Sequence, residues 1–148
     1  MIPKFRAWHK EYKEMYYNII QLSRNENGWD IKVAEKAYDG YGVCTSDKIE
    51  LMQWTGLTDK NGTNIYDGDI IEWLDGISKK EIKRGYVVQT AANFKMHYKG
   101  SCNNEPGIHD YTFYLDYFKK EDGKDCWYID PVILGNIYEN GELLNVRT

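Results

Sequence analysis

Hydrophobic positions along this chain come in short runs that are broken again and again by polar, Gly-containing stretches. Residues 51–57 (Leu-Met-Gln-Trp-Thr-Gly-Leu) and 65–73 (Ile-Tyr-Asp-Gly-Asp-Ile-Ile-Glu-Trp) are apolar, β-prone arms on either side of Thr58, Asp59, Lys60, Asn61, Gly62 and Thr63. Asn61-Gly62 is the pair a tight hairpin needs, because both residues tolerate positive φ. The spacing therefore predicts that the two arms double back on each other as neighbouring strands. Inside the second arm, Gly68 between Asp67 and Asp69 predicts a bend before a strand enters the core.

The same period of two recurs elsewhere. Lys4-Phe5-Arg6-Ala7-Trp8 alternates as a half-buried strand does, and a polar connection over residues 9–14, interrupted only by Tyr12, follows it. Residues 15–22 fit a helical stripe (Trp8, Tyr12, Met15, Ile19, Leu22) and also a strand (Met15, Tyr17, Ile19). Their Tyr and Ile content favours the strand. Asn25-Glu26-Asn27-Gly28 is a turn, after which Trp29, Ile31 and Val33 alternate with Asp30 and Lys32 as a strand with one wet face. Residues 34–47 are irregular, with loop character at Asp39-Gly40-Tyr41-Gly42 and room for a helical turn over residues 35–38. Phe94, Met96 and Tyr98 point one way and Lys95, His97 and Lys99 the other, which is an amphipathic strand. Residues 100–110 hold Ser, Asn, Pro and Gly and are expected to form a long mobile loop. Residues 111–118 are apolar on both faces of a strand, or part of a buried helix, and residues 121–124 form a turn before the segment 126–129. Residues 132–138 are expected to be a central strand entered at Pro131.

Composition sharpens this into a fold class. Aromatic residues make up 15% of the chain, with 13 Tyr and 5 Trp, and their spread over short segments favours sheet over helix bundle. A chain of 148 residues suits one domain that buries roughly two-thirds of its unfolded surface without staples. The irregular stretch leaves open an N-terminal subdomain over 1–48 and a barrel-like one over 49–148. A net charge of -4 supplies no global field for nucleic acid or anionic lipid. Cys44, Cys102 and Cys126 are odd in number and scattered, and no leader or long apolar run appears, so a reducing cytoplasm and no membrane are expected. The sequon Asn61-Gly62-Thr63 has no physical meaning without export.

The order and spacing of several pieces resemble the YopX family of phage and prophage proteins. They are Lys4-Phe5-Arg6-Ala7-Trp8 with Met15-Tyr16, the run from Leu51 to Gly62, Ile65-Tyr66-Asp67-Gly68-Asp69-Ile70-Ile71, and Gly135-Asn136-Ile137-Tyr138-Glu139-Asn140. Residues 86–130 carry little of the match, and Trp54 stands where the family more often has Tyr. The resemblance implies a small phage-encoded cytoplasmic protein with a largely β, partly barrel-like fold and no transferable molecular function. Together with the patterning, it predicts a mainly β chain: a partly open, SH3-like-to-barrel sheet with an N-terminal β extension and few short helices. An α+β arrangement is the alternative.

Candidate chemistry is sparse. Asp59, Asn61 and Thr63 alternate oxygen ligands like the start of a calcium loop, but that loop needs Gly sixth and Glu twelfth, where this chain has Gly62 fourth and Ile70 twelfth. A structural turn through Asp59, Asn61, Gly62, Asp67, Gly68 and Asp69 is the expectation, with Asp67 and Asp69 on one strand face. Cys102, His109 and Asp110 share the expected loop, yet no nucleophile signature accompanies them. Three scattered Cys with His9, His97 and His109 lack zinc spacing. No catalytic residue, metal or cofactor is expected. Lys79, Lys80, Lys83 and Arg84 beside Tyr86 admit nucleic-acid binding by stacking in a basic groove, or a lysine-protected sheet edge. Aromatic abundance admits a self-associating or protein-binding module anchored by Trp29, Tyr41 or Trp127. The binding module is favoured, with a second copy or a host or phage protein as partner and nucleic acid second; an enzyme ranks third.

Overall fold

Alternating side chains with a turn residue every few positions have no route to long helices, and the chain settles into strands. The structure is a computed structural model that describes residues 4–33, 43–45, 47–76, 80–102, 105–118 and 128–145. Among the described residues it is mainly β, 66% strand with no helix of seven or more residues, and includes a curled half-barrel sheet. The α+β alternative falls. The chain divides into two compact units, Met1–Trp54 and Thr55–Thr148.

In the first unit, β1 (Phe5–His9) lies between β2 (Glu14–Tyr16) and the first half of β6 (Ile49–Thr58), with Ala7 opposite both Tyr16 and Leu51. A three-stranded sheet is built from β3 (Ile19–Asn25), β4 (Gly28–Val33) and β5 (Val43–Thr45), in that order. Ala7, Tyr16, Ile31, Val33 and Ile49 form the core of this unit. The expected strand over residues 15–22 is two strands, separated at Tyr17 and Asn18. The irregular stretch contributes β5, and its residues 34–42 and 46, Tyr41 included, lie outside the described residues.

The second half of β6 lies beside β7 (Asn64–Tyr66). There the Thr55 hydroxyl donates to the Ile65 carbonyl at 2.9 Å. The predicted doubling-back is present, but the turn is wider than an Asn-Gly pair alone: Asp59 N–H donates to Thr63 O at 2.8 Å, and only Gly62 of the loop has positive φ, +82°. The five-stranded sheet of this unit runs β11 (Glu105–Tyr114), β10 (Phe94–Cys102), β9 (Ile82–Gln89), β8 (Asp69–Asp75), β12 (Tyr128–Asn136). On its inner face Trp73 meets Tyr98, Phe113 and Phe118 edge-on at 5.4, 5.5 and 5.8 Å. Ile65, Ile71, Val87, Met96 and Leu115 complete the core.

Two expectations are corrected here. Within residues 100–110, the described residues 100–102 and 105–110 are strand and not loop: β10 and β11 pair Lys99 with Asp110 and Gly100 with His109, and residues 103 and 104 lie outside the described residues. Pro106 and Gly107 are compatible with a strand because β11 is an edge, where a missing N–H leaves no ladder bond empty. Residues 132–138 are likewise not central. β12 is the opposite edge, and its register breaks between Ile129 and Val132, where Asp130 takes φ +52°. After β11 the chain tightens into a 3-10 turn, Leu115–Phe118, which resolves the strand-or-helix ambiguity of that apolar run. Residues 119–127, with the expected turn at 121–124, Cys126 and Trp127, lie outside the described residues.

Candidate functional site

The residues singled out by sequence fall into separate places. Asp59 is buried and its carboxylate is used up by backbone: Oδ1 accepts Asn61 and Thr63 N–H, both at 2.9 Å, and Oδ2 accepts Ile133 N–H at 3.2 Å. Lys60 N–H adds a bond to Pro131 O at 2.8 Å, so the tip of the β6–β7 turn is tied to the irregular stretch of β12. Asp67 and Asp69 do not act as a pair. Asp67 Oδ1 accepts Gln89 N–H at 2.9 Å, whereas buried Asp69 Oδ2 accepts Tyr66 N–H at 2.8 Å across the turn that Gly68 makes at φ +81°.

The basic stretch is divided by the pleat of β9, because successive side chains leave opposite faces. Lys83 lies over the Tyr98 ring at 5.6 Å and pairs with Asp75 at 3.2 Å and Glu81 at 3.8 Å. Arg84 faces the other way, pairing with Glu72 at 2.7 Å and donating to Leu143 O at 3.0 Å. Tyr86 shares that second face and meets His97 at 5.0 Å. Lys80 is exposed, and Lys79 lies outside the described residues.

His109 and Asp110 are separated in the same manner. Asp110 is outward, 3.5 Å from His97 Nε2, while half-buried His109 meets Tyr111 edge-on at 6.4 Å. The side chains of Cys44 and Cys102 lie outside the described residues. Among the described residues no three His, Cys, Asp or Glu side chains converge as a metal site, and no helix is long and apolar enough to cross a membrane. Two ionisable groups have displaced pKa values. Burial, then the neighbouring Tyr111, pushes the Tyr98 phenol up. The Thr45 hydroxyl, donating to the Asp47 carboxylate, holds that group below its ordinary value.

Sequence reasoning missed the surface along β11. Ile108, Asp110, Thr112 and Tyr114 are all exposed on one face, while Phe113 is buried and His109 and Tyr111 are half-buried on the other. At the end of the strand an open cavity of about 210 Å³ is lined by Thr55, Leu57, Asn93, Phe94, Tyr114 and Asp116 among others. Part of the signal was present: His109, Tyr111 and Phe113 alternate from the end of the expected loop onward, and a Pro close before such a pattern marks an edge strand.

The chain matches the family described as YopX protein over residues 4–145. It belongs to the YopX family. Among solved structures, protein yopX from Bacillus subtilis is 19% identical, with a TM-score of 0.58 over 96% of this chain and 98% of that one, and shares the fold. Protein EF1440 from Enterococcus faecalis is 24% identical, with a TM-score of 0.45 over 98% of this chain and 99% of that one. No curated protein matches the chain.

The YopX-like pieces fall on structural joints. Trp54 places its ring under the Lys4 ammonium, 4.6 Å from its centroid. In Gly135-Asn136-Ile137-Tyr138-Glu139-Asn140, buried Asn136 accepts the N–H groups of Tyr138 and Glu139 at 3.0 Å each and donates to the Glu139 carboxylate at 2.6 Å. A Cβ on Gly135 would meet Asn140 Oδ1 at 2.1 Å, so the motif needs Gly there.

Proposed function

We propose that this YopX-family chain is a phage- or prophage-encoded accessory protein that works in the host cytoplasm as a non-catalytic binding module for another protein. The observation that carries the reading is the exposure of large apolar side chains on the sheets, at edge strands β3 and β11 and at the start of the middle strand β4. In the first unit Ile20 is 61% and Trp29 50% exposed; in the second, Ile108 is 52% and Tyr114 48% exposed. Exposed aromatic and branched side chains are the compositional mark of a protein-binding patch, and strand edges offer unpaired backbone as well. Trp29, named from sequence as an anchor, has the exposure an anchor needs; Tyr41 and Trp127 lie outside the described residues.

Light scattering for self-association and cross-linking in host extract, each compared with Trp29→Ala and Ile108→Lys, test this reading. A partner or second copy held by wild type and released by one of these variants is the expected result. A strict monomer that cross-links to nothing overturns it. Nucleic-acid binding is the weaker reading, because Lys83 and Arg84 leave opposite faces of β9 and both are paired with carboxylates.

A further inference from the structure

We infer that Asn61 is a site of self-modification: its carboxamide cyclises onto the Gly62 amide and becomes aspartate or β-linked aspartate, and the β-linked form unties the β6–β7 turn from β12. This does not rest on what the chain binds.

The sequence holds three Asn-Gly pairs, Asn27-Gly28, Asn61-Gly62 and Asn140-Gly141. Glycine sets no side chain beside the attacking nitrogen, so the three are alike in local chemistry and the fold ranks them. At Asn140 the carboxamide is held, because Oδ1 accepts Asn136 N–H at 3.3 Å and the side chain fills the space a Cβ on Gly135 would need. At Asn27 the following Gly28 lies inside the β3–β4 ladder, opposite Asn25. Asn61, Gly62 and Thr63 are all exposed. No heavy atom stands within 4 Å of where a Cβ on Gly62 would be, and among the described residues the Asn61 carboxamide takes part in no hydrogen bond. One bond opposes the reaction: Gly62 N–H donates to Asp59 O at 3.0 Å. It closes a single exposed turn and not a ladder, so it opens more readily than strand bonds do. Conversion is therefore slower than in the unfolded chain, and in the folded chain it is fastest at Asn61.

The reaction needs only water. Hydroxide takes the Gly62 amide proton, and the nitrogen attacks Asn61 Cγ. The N–Cγ bond forms, the Cγ–Nδ2 bond breaks, and Nδ2 takes a proton from water and leaves as ammonia. Water then opens the ring at either carbonyl. Breaking the new N–Cγ bond gives aspartate; breaking the original peptide bond gives β-linked aspartate, with one more atom in the backbone. That atom falls between the N–H groups of Asn61 and Thr63, which share Asp59 Oδ1 at 2.9 Å each. The same carboxylate holds Ile133 N–H through Oδ2, and Lys60 N–H holds Pro131 O. Lengthening the turn separates these groups and leaves β12 an open edge.

The test incubates the full chain at neutral and mildly alkaline pH, folded and in urea, and follows ammonia loss and water gain by mass spectrometry. Cleavage after Lys and Arg puts the three pairs in separate peptides, 25–32, 61–79 and 125–147. In the folded chain Asn61 should convert about tenfold faster than Asn27 and Asn140, a gap that urea abolishes. Protein isoaspartyl methyltransferase should label peptide 61–79 first. Hydrogen exchange at the Lys60 and Ile133 amides should speed about tenfold in the β-linked chain. Asn61→Asp, which adds the charge without the extra atom, should keep that protection, and Asn61→Ala should keep it through the whole incubation.

Equal or faster conversion of Asn27 or Asn140 in the folded chain overturns the assignment of the site. So does a folded Asn61 that stays intact while the chain in urea converts. A β-linked chain whose Ile133 amide stays protected, or loss of protection in Asn61→Asp alone, overturns the untying of β12.

Discussion

Asp59 shows how one side chain specifies a turn and a distant contact at once. Its carboxylate accepts two N–H groups inside the β6–β7 turn and a third from Ile133, 74 positions along the chain. Asp59→Ala leaves three donors without that acceptor and should cost about 3 kcal/mol in chemical denaturation. Asp59→Asn keeps the acceptor for the turn and should cost about 1 kcal/mol. Gly85 is a different kind of constraint: a Cβ there would lie 2.3 Å from the backbone oxygen of His97, which cannot rotate away. Gly85→Ala should cost about 3 kcal/mol, measured in the same way, because the β9–β10 ladder must shift. Tyr98 supplies a pH dependence. Burial raises its pKa, so the folded chain holds the phenol proton to higher pH than the unfolded chain does. Its contribution is intact below about pH 10, the unfolded value, and is lost as pH rises through the folded one. Thermal melts between neutral and strongly alkaline pH should fall more steeply for wild type than for Tyr98→Phe.

At the scale of elements, the informative pair is the two edges of the five-stranded sheet. β12 has its irregular stretch met by the β6–β7 turn, through Lys60 N–H to Pro131 O and Ile133 N–H to Asp59. β11 has no paired strand on its outer side among the described residues. Composition misled the reading of residues 100–110, because Ser, Asn, Pro and Gly mark loops and edge strands alike; pairing with β10 decided between them. Hydrogen exchange discriminates directly. In an edge strand, amides directed at β10 are protected and alternate ones are not, so residues 107–114 should exchange in an every-other-residue pattern; uniform fast exchange would restore the loop. By contrast, Phe94, Met96 and Tyr98 were legible beforehand, because an amphipathic strand writes its buried face into a period of two: Met96 is fully buried and Lys99 exposed.

For the molecule as a whole, a net charge of -4 and the division of the basic stretch across two faces of β9 set the expectation for nucleic acid. Anisotropy with mixed-sequence single- and double-stranded DNA and RNA should show no salt-dependent binding between about 50 and 200 mM salt, since the described cations of that stretch cannot neutralise a run of phosphates from one side. The chain alone determined its β class, its turns at Asn61-Gly62 and Gly68, and its family, because strand alternation, turn chemistry and motif spacing are local properties read within a few residues. The tertiary structure decided which strands are edges, that Lys83 and Arg84 part company, and that Tyr114 and Asp116 share a cavity with Thr55 and Phe94. Those are outcomes of pairing between segments tens of residues apart, and strand order and register have no signature in a local pattern.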